Sequence, residues 1–305
     1  DPYLIVHGIS PYLHTPLDPA LIRLRDHAIW PNLRFRNAPT IYPPAAQGLF
    51  LLAYAIAPLN IVGVKAAIEL CDALVCVLML ILLWRGRLDL RRVILYWWAP
   101  LPILEFAFSA HIDAEAIVFT LAALIVASQR WRGARMAVGV LLGLATLTKL
   151  YPLLFVVALI RRRDYGLLAG LAPTIALGYA PILALGAGGG GYLSTYFSQR
   201  NGDEGILALV LNLTLLRFTH SNTALIVAQL LTLALLCALI ALYRWRVGLR
   251  PAAAVLAISA AWLSLSPHTL PWYVAAPLPL LALYSVREAR AWALWLVTLL
   301  APFLY

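Results

Sequence analysis

Charged residues are scarce in this 305-residue chain: they make up 12% of it, whereas hydrophobic residues make up 63%. A soluble domain carries about 25% charged residues. A chain this apolar has too few polar side chains to cover a surface that faces water. The composition therefore excludes an ordinary soluble domain and predicts that lipid surrounds much of the fold.

Cysteine and acidic residues are scarce as well. The three cysteines, Cys71, Cys76 and Cys237, all lie in apolar stretches, which predicts neither a disulfide framework nor a zinc site. Asp and Glu number 13 against 23 Lys and Arg, and the net charge is +10. Such an excess can indicate nucleic-acid binding, but the placement of the basic residues argues against it.

Fifteen of the basic residues lie in five short clusters that separate apolar runs. The clusters are Arg85, Arg87, Arg91 and Arg92; Arg130, Arg132 and Arg135; Arg161, Arg162 and Arg163; Arg244, Arg246 and Arg250; Arg287 and Arg290. Short loops rich in Lys and Arg stay in the cytoplasm. We therefore expect all five clusters on the inner side of a membrane, and no nucleic-acid partner.

The apolar runs between these clusters then form pairs of membrane spans, in which one span leaves the cytoplasmic side and the next returns to it. The predicted spans are 61–84, 93–109 with 113–128, 166–186 with 222–243, 251–265 with 271–286, and 291–305. We predict an all-α, polytopic transmembrane helical bundle over residues 46–305. Residues 1–45 form a proline-rich segment outside the cytoplasm, either a lid over a substrate groove or a loop packed on helix ends. Because the chain starts at Asp1, we also expect one further membrane helix upstream.

Two apolar stretches are too short to cross, since a span needs about 20 apolar residues. Residues 46–58 end at Pro58, and residues 136–160 are interrupted by Lys149-Leu150-Tyr151-Pro152. We predict broken or re-entrant helices in both places. Irregular backbone at membrane depth is tolerated where protein or a watery cavity covers it, so this prediction implies a cavity.

The outer side collects most of the residues that can carry chemistry. The densest group is His111-Ile112-Asp113-Ala114-Glu115, in which an imidazole and a carboxylate can position a hydroxyl or exchange a proton. Its structural alternative is a helix start, where Asp113 and Glu115 favour the positive end of the helix dipole. His-x-Asp alone is a weak indication of a metal, and we predict no metal site.

Lys149 lies at the mouth of the interrupted hairpin, where a cation suits an anionic ligand such as phosphate. Its structural alternative is a lysine that extends to the membrane interface. His268 lies between two prolines in the turn Ser266-Pro267-His268. That pattern is also compatible with a tight turn and no chemical role.

Several motifs together have the order and spacing of a known superfamily. They are Gly8-Ile9-Ser10-Pro11-Tyr12, Thr40-Ile41-Tyr42-Pro43-Pro44, Glu105 followed by His111-Ile112-Asp113, Thr148-Lys149-Leu150-Tyr151-Pro152, and Ser266-Pro267-His268 with Pro271-Trp272-Tyr273. Along most of its length the chain resembles the GT-C superfamily of membrane glycosyltransferases. Within it, the chain resembles the bacterial, mannosyltransferase-like branch that uses polyprenyl-phosphate sugars.

The resemblance implies that a sugar moves from a polyprenyl phosphate to a hydroxyl of a glycan or glycolipid, with inversion, on the periplasmic face of a bacterial inner membrane. It places the general base on an aspartate of the first outer loop, for which Asp1 is the early candidate. Relatives tend to have Asp-Gly at this point, whereas this chain has Asp1-Pro2. A general base upstream of Asp1 is therefore the alternative. Asp113 and His268 are the other predicted catalytic residues, acting on the acceptor.

The predicted substrate-binding residues fall into two groups. Lys149 and Arg200 are expected near the leaving phosphate, and Tyr42, His111 and Tyr151 around the substrates. No cofactor is expected beyond the lipid-linked sugar donor. The partners are that donor, the acceptor and membrane lipid.

A transporter or lipid flippase is the alternative, because it too needs broken helices, a cavity and buried charges. Lys65, Glu69, Asp72 and Glu105 are the residues that favour it. No internal repeat is visible, and the other polar residues lie at the outer rim rather than at the midplane.

Overall fold

The computed structural model describes residues 2–27, 29–33, 35–184, 204–219, 221–284 and 295–296. Regular structure in these residues is helical throughout, without a β-strand. The helices of ten or more residues are α1 Pro44–Ile56, α2 Ile61–Arg85, α3 Asp113–Ala127, α4 Ala134–Thr148, α5 Tyr165–Ala184, α6 Ile206–Leu215, α7 Asn222–Val247 and α8 Pro251–Leu265. The predicted all-α class is confirmed.

Short helical pieces join these helices. They are the α-helical Pro2–Val6, Ile94–Trp97, Val156–Leu159, Pro271–Val274 and Leu278–Tyr284, the 3-10 turns Pro19–Leu24, Trp30–Asn32, Leu90–Val93 and Tyr151–Phe155, and the π-helix Pro102–Phe108. In the described residues before α1, regular structure is limited to short helical pieces of three to six residues. Tyr12 holds this segment against the approach to α1 by donating a 2.7 Å hydrogen bond to the carbonyl of Tyr42, two residues before the helix begins.

Three of the described helices, α2, α5 and α7, are long and apolar enough to cross a membrane. The π-helix and α3 pass the same test as a pair but bend by 114°. The chain thus has the helices of a multi-pass membrane protein, as expected. The bent pair lies where the sequence predicted two separate spans, 93–109 and 113–128.

Two predicted spans are not single helices. Residues 93–109 divide into short pieces, and residues 271–286 divide at residues 275–277. Proline explains both divisions, since it removes a backbone donor and clashes with the preceding turn. Pro100 and Pro102 lie in the first stretch, and Pro277 and Pro279 lie in the second.

The predicted hairpin at 136–160 is confirmed. Helix α4 ends at Thr148, and Lys149 is fully extended at φ −143° and ψ 146°. The chain returns through Tyr151–Phe155 and Val156–Leu159. Arg135, at the start of α4, donates a 2.8 Å hydrogen bond to the carbonyl of Leu159. Both limbs therefore meet at one end of the bundle, and Lys149 lies at the opposite tip.

Three of the five arginine clusters meet at that shared end, which we call the arginine-rich end. Arg161 donates to the carbonyl of Ala127 at 2.8 Å, and Arg244 donates to the carbonyl of Ile160 at 3.1 Å. Arg135 Nε lies 3.0 Å from Asp164 Oδ2. Burial raises the pKa of Asp164, but the hydrogen bonds from Arg135 and the backbone outweigh it and hold that pKa below its usual value.

Helices α4 and α5 pack backbone to backbone. A Cβ atom at Gly139 would lie 2.0 Å from the carbonyl oxygen of Leu167, and one at Gly170 would lie 2.1 Å from that of Met136. No side chain fits at either distance. Small residues permit this close approach between membrane helices, and the contact fixes α4 together with its tip, Lys149.

Helices α3, α4 and α8 contain 15 residues each. At 1.5 Å per residue each is roughly 22 Å long, whereas the hydrocarbon core is about 30 Å thick. All three have one end at the arginine-rich end. Their other ends therefore stop short of a full crossing, inside a bundle whose helices α2 and α7 have 25 and 26 residues. The result is a recess opposite the arginine-rich end.

Candidate functional site

A cavity of about 120 Å³ lies in this recess. Its lining includes Tyr42 from the segment before α1, Lys149 and Tyr151 from the break after α4, and Trp262 and Tyr273 from either side of the turn after α8. Three distant parts of the chain thus build it. The predicted cavity beside the interrupted hairpin is present.

Lys149 forms the charged centre of the site with Asp113. The Lys149 Nζ atom lies 3.1 Å from Asp113 Oδ2, and the two side chains are 13% and 0% exposed. Asp113 opens α3, where the helix dipole favours a carboxylate, and Lys149 follows the last residue of α4, where the dipole favours a cation. The pair therefore joins the opposite-sign ends of two neighbouring helices.

Aromatic rings enclose the same ammonium group. Lys149 Nζ lies 5.4 Å from the ring centroid of Tyr42 and 5.2 Å from that of Tyr273. Both distances are in the range of cation–π attraction, which strengthens when the cation is removed from water. Lys149 is therefore held inside the cavity rather than extended to the membrane interface, its structural alternative.

A stacked aromatic wall completes the cavity. Tyr151 and Trp262 stack with centroids 4.3 Å apart and ring planes 17° apart, and Trp262 contacts Tyr273 at 5.2 Å. Tyr151 and Tyr273 are themselves buried. The wall gives a flat, apolar surface next to a cation, a combination that suits a ligand with a ring and an anionic group.

A second polar group lies beside the cavity, at the bend before α3. His111 Nε2 is 3.4 Å from Glu105 Oε2, and the His111 ring stacks on Trp272 at 3.8 Å. Trp272 in turn contacts Tyr273, which encloses Lys149. The imidazole is thus oriented by a carboxylate on one side and a flat ring on the other.

Glu115 and Thr148 tie the same two helix ends together a second time. Thr148 donates a 3.0 Å hydrogen bond from its hydroxyl to Glu115 Oε2, and both side chains are buried. This contact lies next to the Asp113–Lys149 pair, because Glu115 is two residues after Asp113 and Thr148 directly precedes Lys149. It keeps α3 and α4 in register at the level of the cavity.

The structure brings most of the predicted site residues into one region. Tyr42, Lys149 and Tyr151 line the cavity, Asp113 lies behind Lys149, and His111 is separated from it by two aromatic rings. His268 is 2% exposed in a turn whose preceding residues, Ser266 and Pro267, line the cavity. Asp1 and Arg200 lie outside the described residues. The roles given to all eight stay predictions.

Sequence reasoning missed the aromatic wall and the partner of His111. Trp262 carries no signal beyond being a lone tryptophan within α8. Trp272 and Tyr273 follow a proline in an outer turn, which is also typical of an interface pair. Glu105 stood in one of the superfamily motifs, and the six-residue spacing to His111 gave no indication that a bend would bring them together.

Helices that stop short of a full crossing, with a cation, a carboxylate and aromatic rings at their ends, define a membrane protein with a recessed polar site. The model of glycosyltransferase family 87 matches residues 41–267. The chain belongs to this family of GT-C-type membrane glycosyltransferases. The predicted superfamily and the prediction of a glycosyltransferase are therefore confirmed, and the mannosyltransferase-like branch stays a prediction. No curated protein and no solved structure matches the chain.

Proposed function

We propose that this glycosyltransferase moves a sugar, a mannose-like hexose, from polyprenyl phosphate to a hydroxyl of a glycan or glycolipid acceptor, with inversion. The observation that carries the proposal is Lys149, a largely buried cation in an aromatic cavity that helices of the bundle surround. A buried cation at the mouth of a hydrophobic recess suits a donor with a phosphate group and a lipid tail.

Lys149 is proposed to bind the phosphate. As the bond between the anomeric carbon and the phosphate oxygen breaks, its electron pair and negative charge pass to the phosphate. An ammonium group held in place at low dielectric stabilises that charge without reorganising. Asp113 is 0% exposed and absent from the lining, so its contact with Lys149 supports a positioning role better than contact with the acceptor.

The acceptor is proposed to enter from the side of His111. Its hydroxyl oxygen attacks the anomeric carbon opposite the phosphate, and a base takes the hydroxyl proton. Asp1, the base that the resemblance implies, keeps that role as a prediction. Within the described residues, His111 lies near the cavity as a second candidate for that base, and Glu105 orients its ring.

The aromatic wall is proposed to hold the sugar ring. Tyr151 and Trp262 present flat faces on which the apolar C–H face of a hexose can pack, while Lys149 meets the phosphate. Since short loops rich in arginine stay in the cytoplasm, the cavity opposite them would face the periplasm of a bacterial inner membrane. We expect the reaction to need neither a metal nor a further cofactor.

Donor class is the property to test. Purified full-length protein in proteoliposomes receives labelled mannose, glucose or arabinose on polyprenyl phosphate, and the same sugars on nucleoside diphosphates as the matched control. We expect label to reach the acceptor from a lipid donor alone, with the anomeric configuration inverted in the product. Transfer from a nucleotide sugar without lipid donor would overturn the proposal.

A further inference from the structure

A second cavity, of about 810 Å³, lies at the arginine-rich end, far from Lys149. It opens between the loop that follows the hairpin and the end of α7. Arg161, Arg162 and Arg244 supply its charge, and Ile160, Trp245 and Leu249 supply its apolar surface. None of these residues takes part in the proposed sugar transfer.

Arg244 is positioned as an anion ligand on the inner side of this cavity. One of its terminal nitrogens donates to the carbonyl of Ile160 at 3.1 Å. Its Nε atom is buried and has no hydrogen-bond partner in the part of the chain that the structure describes. Burying a donor of a charged group without an acceptor is costly. The positive charge of this guanidinium group is therefore poorly compensated, and an anion in the neighbouring cavity would stabilise that charge.

The carboxylate nearest in sequence does not neutralise these arginines. Asp164 belongs to the same loop as Arg161 and Arg162, yet its side chain is held by Arg135 and by the backbone N–H groups of Arg161 and Leu167. Arg161 and Arg162 are exposed at the mouth of the cavity. The cavity therefore carries an excess of positive charge.

Exposed aromatic rings lie at the same end of the bundle as the cavity, and Trp245 lines it. Trp245 is 61% exposed, and Tyr243 and Trp131 are exposed at the same end of the bundle. Such rings gather where membrane proteins meet lipid headgroups. The arginines thus lie at the depth of the headgroups, with apolar surface beside them on which an acyl chain can pack.

We propose that this cavity binds the phosphate group of an anionic membrane phospholipid in the leaflet at the arginine-rich end. Guanidinium groups match phosphate oxygens with paired hydrogen bonds, and basic pockets between membrane helices bind anionic headgroups. Inorganic phosphate shares this chemistry but makes no use of Ile160, Trp245 or Leu249. The bound lipid would join the base of the hairpin to α7.

Lipid retention tests the proposal. Full-length protein is stripped of lipid, offered phosphatidylglycerol or phosphatidylcholine, and examined by native mass spectrometry as wild type, Arg162→Gln and Arg244→Gln. Arg132→Gln is the matched control, because Arg132 is exposed at the same end but does not line the cavity. Arg162 is also exposed, so its replacement should not disturb folding.

We expect the wild type and Arg132→Gln to retain phosphatidylglycerol over phosphatidylcholine, and Arg162→Gln and Arg244→Gln to retain about tenfold less of it, as the loss of one charge-assisted hydrogen bond implies. Equal retention of both lipids, or equal loss in the control, would overturn the proposal. So would inorganic phosphate without lipid, if it raised the melting temperature of the stripped protein as much as phosphatidylglycerol does.

Discussion

Replacing Lys149 with methionine should lower the rate of sugar transfer by about a hundred- to a thousandfold, the typical effect of removing one group that stabilises developing negative charge. Methionine keeps the length and the packing of the side chain but removes its charge. The affinity for the lipid donor should fall as well, since the phosphate carries charge before and after the reaction. Lys149→Arg keeps the charge and should lose less.

Lys65→Met is the matched control for this variant. The sequence has two lysines, and Lys65 is the other one; in α2 its ammonium group lies 5.1 Å from the ring centroid of Phe108, away from the cavity lining. We expect it to keep wild-type transfer. Both variants are compared by initial rates at several donor concentrations, after a melting curve has shown that each is folded. A Lys149→Met enzyme as active as the control would refute the phosphate role.

Replacing Asp113 with alanine should lower the free energy of unfolding by about 3–5 kcal/mol, because breaking a buried ion pair leaves the other charge without compensation. Asp113 is 0% exposed and pairs with Lys149 at 3.1 Å. Sugar transfer should fall too, since Lys149 loses the group that positions it. Thermal melting in detergent and transfer assays measure the two effects separately.

The charge-swapped double variant Asp113→Lys with Lys149→Asp separates pairing from catalysis. It restores opposite charges, so we expect part of the stability to return while transfer stays low. Glu69→Gln, which removes an exposed carboxylate on α2, serves as the control and should change neither quantity. A double variant that regained activity would show that the sign of the charge at residue 149 does not matter.

The interrupted hairpin shows how far the sequence could predict the fold. Arginine clusters marked one end of the helices, and the short distance from Arg135 to Arg161 required two limbs with Lys149 at the tip. Both features depend on local sequence and on membrane thickness. The division of the predicted span 93–109 into short helical pieces depends on where prolines interrupt the helix. The bend between the π-helix and α3 depends on tertiary packing, which the sequence pattern does not contain.

The pairing of Asp113 with Lys149 was harder to predict, although both residues were singled out. They were given separate roles, at the acceptor and at the phosphate. A signal was present: each lies one short helix away from the same arginine loop, and equal helix lengths put their ends at one level. The stacking of Tyr151 on Trp262 depends on how α8 is rotated, which apolar sequence on all sides of a helix does not specify.

Two of the charged residues of α2 that favoured the transporter alternative, Lys65 and Asp72, have partners within the bundle. Asp72 accepts a hydrogen bond from the hydroxyl of Tyr96, and Lys65 lies over Phe108. Glu105 is next to His111 at the recess. Together with membership of a glycosyltransferase family, these contacts remove the support that the sequence gave to a transporter.

A structure of the protein with polyprenyl phosphate bound would show whether Lys149 holds the phosphate of the donor. We expect the phosphate in the recess, within about 3 Å of Lys149 Nζ, as a charge-assisted hydrogen bond requires. The lipid chain should leave between helices on the same side. A phosphate bound instead among Arg161, Arg162 and Arg244, with the recess closed, would contradict the account and move the donor site to the arginine-rich end.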